Sequence, residues 1–148
     1  MLNQDFKEFA ELLNAHGVEY LVVGGYALAA HGHPRYTGAI DFWVRLEPTN
    51  VQRLLDALQA FGFASLGLRP EDFDGDTVLQ LGQPPRRIDI LTAIDGVDFD
   101  ACFQRRESAM LGGVTLHVIG RSDFITNKKA SGRLKDQADL EALDPPQP

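Results

Sequence analysis

The stretch YLVVGGYALAAHGHPRYTGAIDFWVR, Tyr20 to Arg45, decides how the chain folds. Its opening run, Tyr20 to Val23, is too short for a buried helix and rich in β-formers, so it predicts a strand. Gly24 and Gly25 follow, then a short apolar helix over Tyr26 to Ala30. A polar loop, His31 to Gly38, leads into a second strand over Ala39 to Leu46. Side chains two apart on a strand share a face. Ile40, Phe42 and Val44 are therefore expected to enter the core, while Ala39, Asp41 and Trp43 point the other way. A strand, paired glycines and a helix start make a backbone cradle for phosphate, because amides free of side-chain obstruction can face an anion. A carboxylate beside such a cradle, here Asp41, is how a protein holds Mg²⁺ on a nucleotide.

Outward from this stretch, Phe6, Phe9, Leu12 and Leu13 show helical spacing over Asp5 to Ala15, closed by His16-Gly17. A helix from Pro48 or Thr49 to about Phe61 puts Val51, Leu54, Leu55, Leu58 and Phe61 on one side. Ser65 to Asp76 reads as a loop. Its acidic run EDFDGD lacks the glycine position and closing glutamate of a calcium-binding EF-hand. Strands are expected at Thr77 to Leu81 and Arg87 to Leu91, and a short helix near Phe99 to Arg105. A hairpin over Ala109 to Leu111 and Val114 to Ile119 turns at Gly112-Gly113. The chain continues as helices over Ser122 to Ala130 and Leu134 to Leu143, broken at Ser131-Gly132. The tail DPPQP is expected to fray.

These elements predict one α/β (α+β) domain over residues 1–148, a small mixed sheet with flanking helices. At 148 residues, with 44% hydrophobic and 24% charged content, the chain can bury its own core. No apolar run reaches membrane-spanning length and the first residues carry no signal pattern, so a cytoplasmic protein is expected. The lone cysteine, Cys102, has no disulfide partner within the chain and reads as a semi-buried small residue. The net charge of −7 argues against a general nucleic-acid binder. Arg86 to Lys135, however, holds nine Lys/Arg against six Asp/Glu, which could steer a polyanion or form a solvated surface.

The combination GGYAL followed by R-x-T-G-x-I-D-F-x-V, Gly24 to Val44, resembles the signature of minimal nucleotidyltransferases of the DNA polymerase β superfamily. The closer resemblance is to the AbiEii-type branch of bacterial toxin–antitoxin systems. It implies a polymerase-β-like fold and transfer of a nucleoside monophosphate from a nucleoside triphosphate (NTP) to an acceptor. The family's second strand carries D-x-D; here its first member is Ala39, so one metal-binding carboxylate is missing. Two metal ions roughly 3.5–4 Å apart clamp the attacking and departing oxygens in such chemistry. The expectation is a heavily impaired enzyme that still binds a metal–nucleotide complex through Gly24, Gly25 and Lys128. Since the other motifs are intact, an inactivating Asp-to-Ala change is favoured over a natural pseudoenzyme.

Further residues complete the expected site. Asp89, between two isoleucines of a strand, is expensive to bury without a partner. It reads as a polar-face aspartate, or as a third metal-side carboxylate or a base activating the acceptor hydroxyl, on a strand adjacent to that of Asp41. In NKKASGRLKDQADL, Lys128, Asp136 and Asp139 are spaced to share a helical face if the Gly132 break is mild. An amphipathic surface helix is the plain alternative. By the resemblance, Lys128 contacts the triphosphate, Asp136 orients it or the lysine, and Asp139 supports the pair; choosing Lys128 over Lys129 rests on the resemblance alone. Tyr26, Arg35 and Thr37 fall in the family's nucleotide-binding segment, with loop closure as the plain alternative for the latter two. His31 and His33 read as loop histidines rather than metal ligands. The resemblance implies Mg²⁺ as cofactor, the 3′ end of tRNA as acceptor and a cognate antitoxin. An antibiotic-modifying transferase and an antitoxin-like or regulatory binding partner remain alternatives.

Overall fold

The computed structural model describes residues 3–143; the DPPQP tail lies outside them. Six strands form one mixed sheet in the order β3-β4-β2-β1-β6-β5. They are β1 (Tyr20–Val23), β2 (Ala39–Val44), β3 (Val78–Leu81), β4 (Arg87–Leu91), β5 (Glu107–Leu111) and β6 (Val114–Val118). At the centre β1 runs antiparallel to β2 and parallel to β6, and β2 runs parallel to β4. Antiparallel partners β3 and β5 finish the two edges. The helices are α1 (Gln4–Ala15), α2 (Gly24–Ala30), α3 (Pro48–Leu58), α4 (Phe99–Gln104), α5 (Arg121–Ser131) and α6 (Leu134–Leu143). This is the expected α+β architecture. No helix among the described residues is long and apolar enough to cross a membrane.

Both faces of the sheet are covered. Ile40 and Phe42 of β2 are fully buried on one face, where Phe9 of α1 meets Phe42 at 5.5 Å and Phe61 at 5.2 Å between ring centroids. On the other face Trp43 is also buried, its ring edge 5.0 Å from Phe99 of α4. The alternation expected for β2 therefore holds, but the second face is not solvent; Asp41 is the partly open position along it. Cys102 is fully buried rather than half-buried, and burial pushes its thiol up to about 12.

Several elements differ from their sequence expectation; β2 ends at Val44 instead of Leu46, and β5 starts at Glu107 instead of Ala109. Helix α2 begins at Gly24, so the glycines lie in its first turn instead of preceding it. Helix α3, capped by Glu47 accepting from Thr49 N–H, stops at Leu58 and loosens into a π turn over Gln59–Phe63. Gly62, at φ 108°, leaves helical space there. The Ser65–Asp76 loop contains two single 3₁₀ turns, Ala64–Leu66 and Pro70–Asp72. Within its acidic run, Asp74 Oδ1 accepts from Asp76 N–H and from the Thr77 hydroxyl, so that carboxylate shapes a turn.

Candidate nucleotide-binding site

The parallel register of β2 and β4 sets Asp41 directly beside Asp89, and Ala39 directly beside Arg87. Partners in one register position point to the same face, so Ala39, Asp41, Arg87 and Asp89 form a square on the sheet. Asp41 and Asp89 are within hydrogen-bonding reach of each other. Burial first, then the neighbouring Asp89 carboxylate, push the Asp41 carboxyl up to about 7. Arg87 answers Asp89 with both prongs, Nε to Oδ1 at 2.8 Å and Nη2 to Oδ2 at 3.1 Å. Ala39, 5% exposed, supplies no oxygen to this square.

Gly24 closes one side. Its φ of +69° is a left-handed conformation, and a Cβ there would overlap Asp41 Oδ2. Glycine therefore lets the backbone lie against the carboxylate. Gly24 and Asp41 line a cleft of about 300 Å³ with Leu91, Asp95, Lys128 and Arg133. Asp76, Asn127 and Ser131 complete its polar wall.

The lysine reaches this cleft through a helical hairpin rather than one continuous face. Gly132, at φ 67°, ends α5 in the left-handed conformation and turns the chain back as α6. Lys128, 4% exposed, then meets Asp136, 0% exposed, at 2.9 Å and Asp139 at 3.5 Å. Asp136 also accepts from the Ser131 hydroxyl at 2.6 Å and from Arg133 Nε at 2.8 Å. Burial alone would raise its carboxyl, but hydrogen bonds from Ser131, Lys128 and Arg133 hold it well below the usual carboxylate range. Asp139 is gripped by Arg35, Nε to Oδ1 at 2.8 Å and Nη2 to Oδ2 at 3.1 Å. The loop before β2 is thereby latched to α6.

Gly24, Asp41 and Lys128 share the cleft wall, with Asp89 beside Asp41 and Asp136 behind the lysine. Lys129, its neighbour in sequence, is exposed and does not line the cleft. Gly25, Tyr26, Arg35 and Thr37 line an adjacent hollow instead. Thr37 packs where a Cβ on Gly25 would stand, 2.9 Å from Thr37 Cβ, and Tyr26 meets Phe6 edge-on at 5.5 Å. His31 Nε2 bonds the Ile119 carbonyl at 2.9 Å. Sequence reasoning did not single out Arg87, Asn127, Ser131, Arg133 or Lys135, whose charge also acts on Asp41. Arg87 was legible as the residue two before Asp89 on the same strand face. Arg133 was legible as the helical i−3 neighbour of Asp136.

Asp41 and Asp89 suit one divalent cation, as hard oxygen donors set side by side. A second ion lacks a side-chain ligand at Ala39, and the first would share Asp89 with Arg87, which engages both of its oxygens. No known protein-family model matches the chain, and no curated protein matches it.

Proposed function

We propose that the cleft binds the phosphates of an NTP with Mg²⁺ on Asp41 and Asp89, as the ground state for nucleotidyl transfer. The observation that carries this reading is the convergence of Gly24, Asp41 and Lys128 on one cleft, from β1–α2, β2 and α5. In the reaction, an acceptor hydroxyl oxygen forms a bond to the α-phosphorus. The bond from that phosphorus to the β-phosphate oxygen breaks, and pyrophosphate leaves. Lys128 and Arg133 offset charge on the phosphates, Gly24 lets them approach the backbone, and the hydroxyl proton passes to a solvent water. Mg²⁺, when bound, neutralises oxygens on the transferred phosphoryl group. With alanine at position 39 the second ion is unsupported, so binding persists while turnover is poor.

The acceptor we infer is the 3′ end of tRNA, the modification serving as a toxin activity held in check by a cognate antitoxin. A second reading has one observation in its favour. Asp76 and Asp95 lie in the same cleft wall and would attract a cationic small molecule such as an antibiotic. The deciding experiment incubates the chain carrying Ala39→Asp with labelled NTPs and a mixture of tRNA, proteins and cationic drugs. Label in tRNA is the expected result, label in a drug supports the second reading, and no pyrophosphate release with any NTP overturns both.

A further inference from the structure

The hollow beside the cleft carries a composition the cleft lacks. Gly24 lines the cleft and the next residue, Gly25, lines the hollow, so one peptide step separates the two. The hollow measures about 480 Å³, within the roughly 300–1,000 Å³ typical of ligand pockets. Its walls include Tyr26, Tyr36, Arg35 and Arg86, with no aspartate or glutamate, although the chain carries a net charge of −7. Tyr36 is 80% exposed, an unusual degree for a ring of that size. Its segment is nevertheless held: Arg35 Nη1 donates to the Tyr36 carbonyl at 3.2 Å, while the same guanidinium grips Asp139. The ring is therefore displayed from a fixed backbone. Arg86 is exposed, and its side chain makes no hydrogen bond or ion pair among the described residues.

An exposed aromatic face beside an uncommitted guanidinium suits a base and its backbone phosphate. Stacking gains affinity without reading sequence, because every base has a π-face. We propose that this hollow seats the single-stranded end of an RNA, with a base on Tyr36 and a phosphate on Arg86. This inference rests on the nucleotidyl-transfer reading and names where its acceptor lies: across the Gly24–Gly25 step from the triphosphate.

The test measures anisotropy of a labelled short single-stranded RNA on the unaltered chain, then on Tyr36→Ala and Arg86→Ala. Binding of a fluorescent ATP analogue with Mg²⁺ is read in parallel on the same samples. Both altered side chains are exposed, so circular dichroism and thermal melts are expected to stay unchanged. Tyr36→Ala should weaken RNA binding at least about fivefold, the lower end of one lost stack. Arg86→Ala should weaken it and lower the salt slope by about one. ATP-analogue binding should change in neither. RNA binding indifferent to both substitutions, or preference for an acidic peptide over RNA, overturns the assignment of this hollow. Failure of the unaltered chain to bind the ATP analogue overturns the nucleotidyl-transfer reading instead, so the two failures are distinct.

Discussion

Lys128 and Asp136 form an ion pair at 2.9 Å with 5% and 0% of their side chains exposed, across the turn that Gly132 makes between α5 and α6. Two charges removed from water hold each other there only because Ser131, Arg133 and Asp139 complete their hydrogen bonds and charge balance. Removing one partner leaves a buried charge uncompensated. Asp136→Ala is expected to destabilise the fold by about 3 kcal/mol, the low end for such pairs because Asp139 still faces the lysine. The double substitution Asp136→Ala with Lys128→Met should recover part of that loss. Urea unfolding of both variants checks this, and equal losses would show that the pair is not mutually dependent.

The Asp41 carboxyl, raised from 3.8 to about 7 in the folded chain, gives a pH dependence of definite sign. Between those values the folded state binds a proton that the unfolded state has released. This contribution to stability is complete at low pH and is lost as pH rises towards 7. In metal-free buffer between pH 5 and 7, Asp41 should pull stability down by up to about 1.4 kcal/mol per pH unit. Asp41→Asn should flatten that slope. Chemical denaturation at several pH values in EDTA decides it; a slope unchanged by the substitution would assign the proton elsewhere.

Gly24 tests the close approach of backbone and carboxylate. Any side chain there meets both the positive φ and Asp41 Oδ2. Gly24→Ala should cost at least about 1–2 kcal/mol from the left-handed conformation alone. It should also displace Asp41 and abolish binding of the ATP analogue with Mg²⁺. Retained affinity in a folded Gly24→Ala protein would separate the glycine from the site.

Arg87 is the fixed cation of the carboxylate square, and its charge acts on Asp41 as well as Asp89. Replacing it with a neutral side chain frees both Asp89 oxygens for a metal ion. Arg87→Gln is therefore expected to tighten Mn²⁺ binding severalfold, read by paramagnetic resonance or calorimetry. Weaker binding in that variant would mean that Arg87 positions Asp89 for the ion instead of competing with it.

The local signals in the chain were strong where one residue decides the outcome. Short runs of β-formers between turn residues located all six strands, and the period-two pattern of Ala39–Val44 correctly sent Phe42 and Trp43 to opposite faces. The spacing of Lys128, Asp136 and Asp139 was meaningful, yet their meeting depends on a left-handed Gly132 that folds α6 back. A mild break and a reversal look alike in sequence. The split between Gly24 and Gly25, one facing the cleft and the other Thr37, follows from the path of the His31–Gly38 loop, which only the packed sheet determines. Arg87 escaped notice because a strand arginine is ordinarily a solvated side chain, although its position two before Asp89 puts both on one face.

The order of elements along the polypeptide has a consequence for biosynthesis. Every strand precedes Ile119, whereas the lysine and the aspartates that steady it come from α5 and α6. A ribosome that has delivered the whole sheet has still to deliver the hairpin that furnishes the ammonium group. Nascent chains released between those two points carry the facing carboxylates of β2 and β4 without the lysine, so translation must proceed well past the last strand before the cleft is complete.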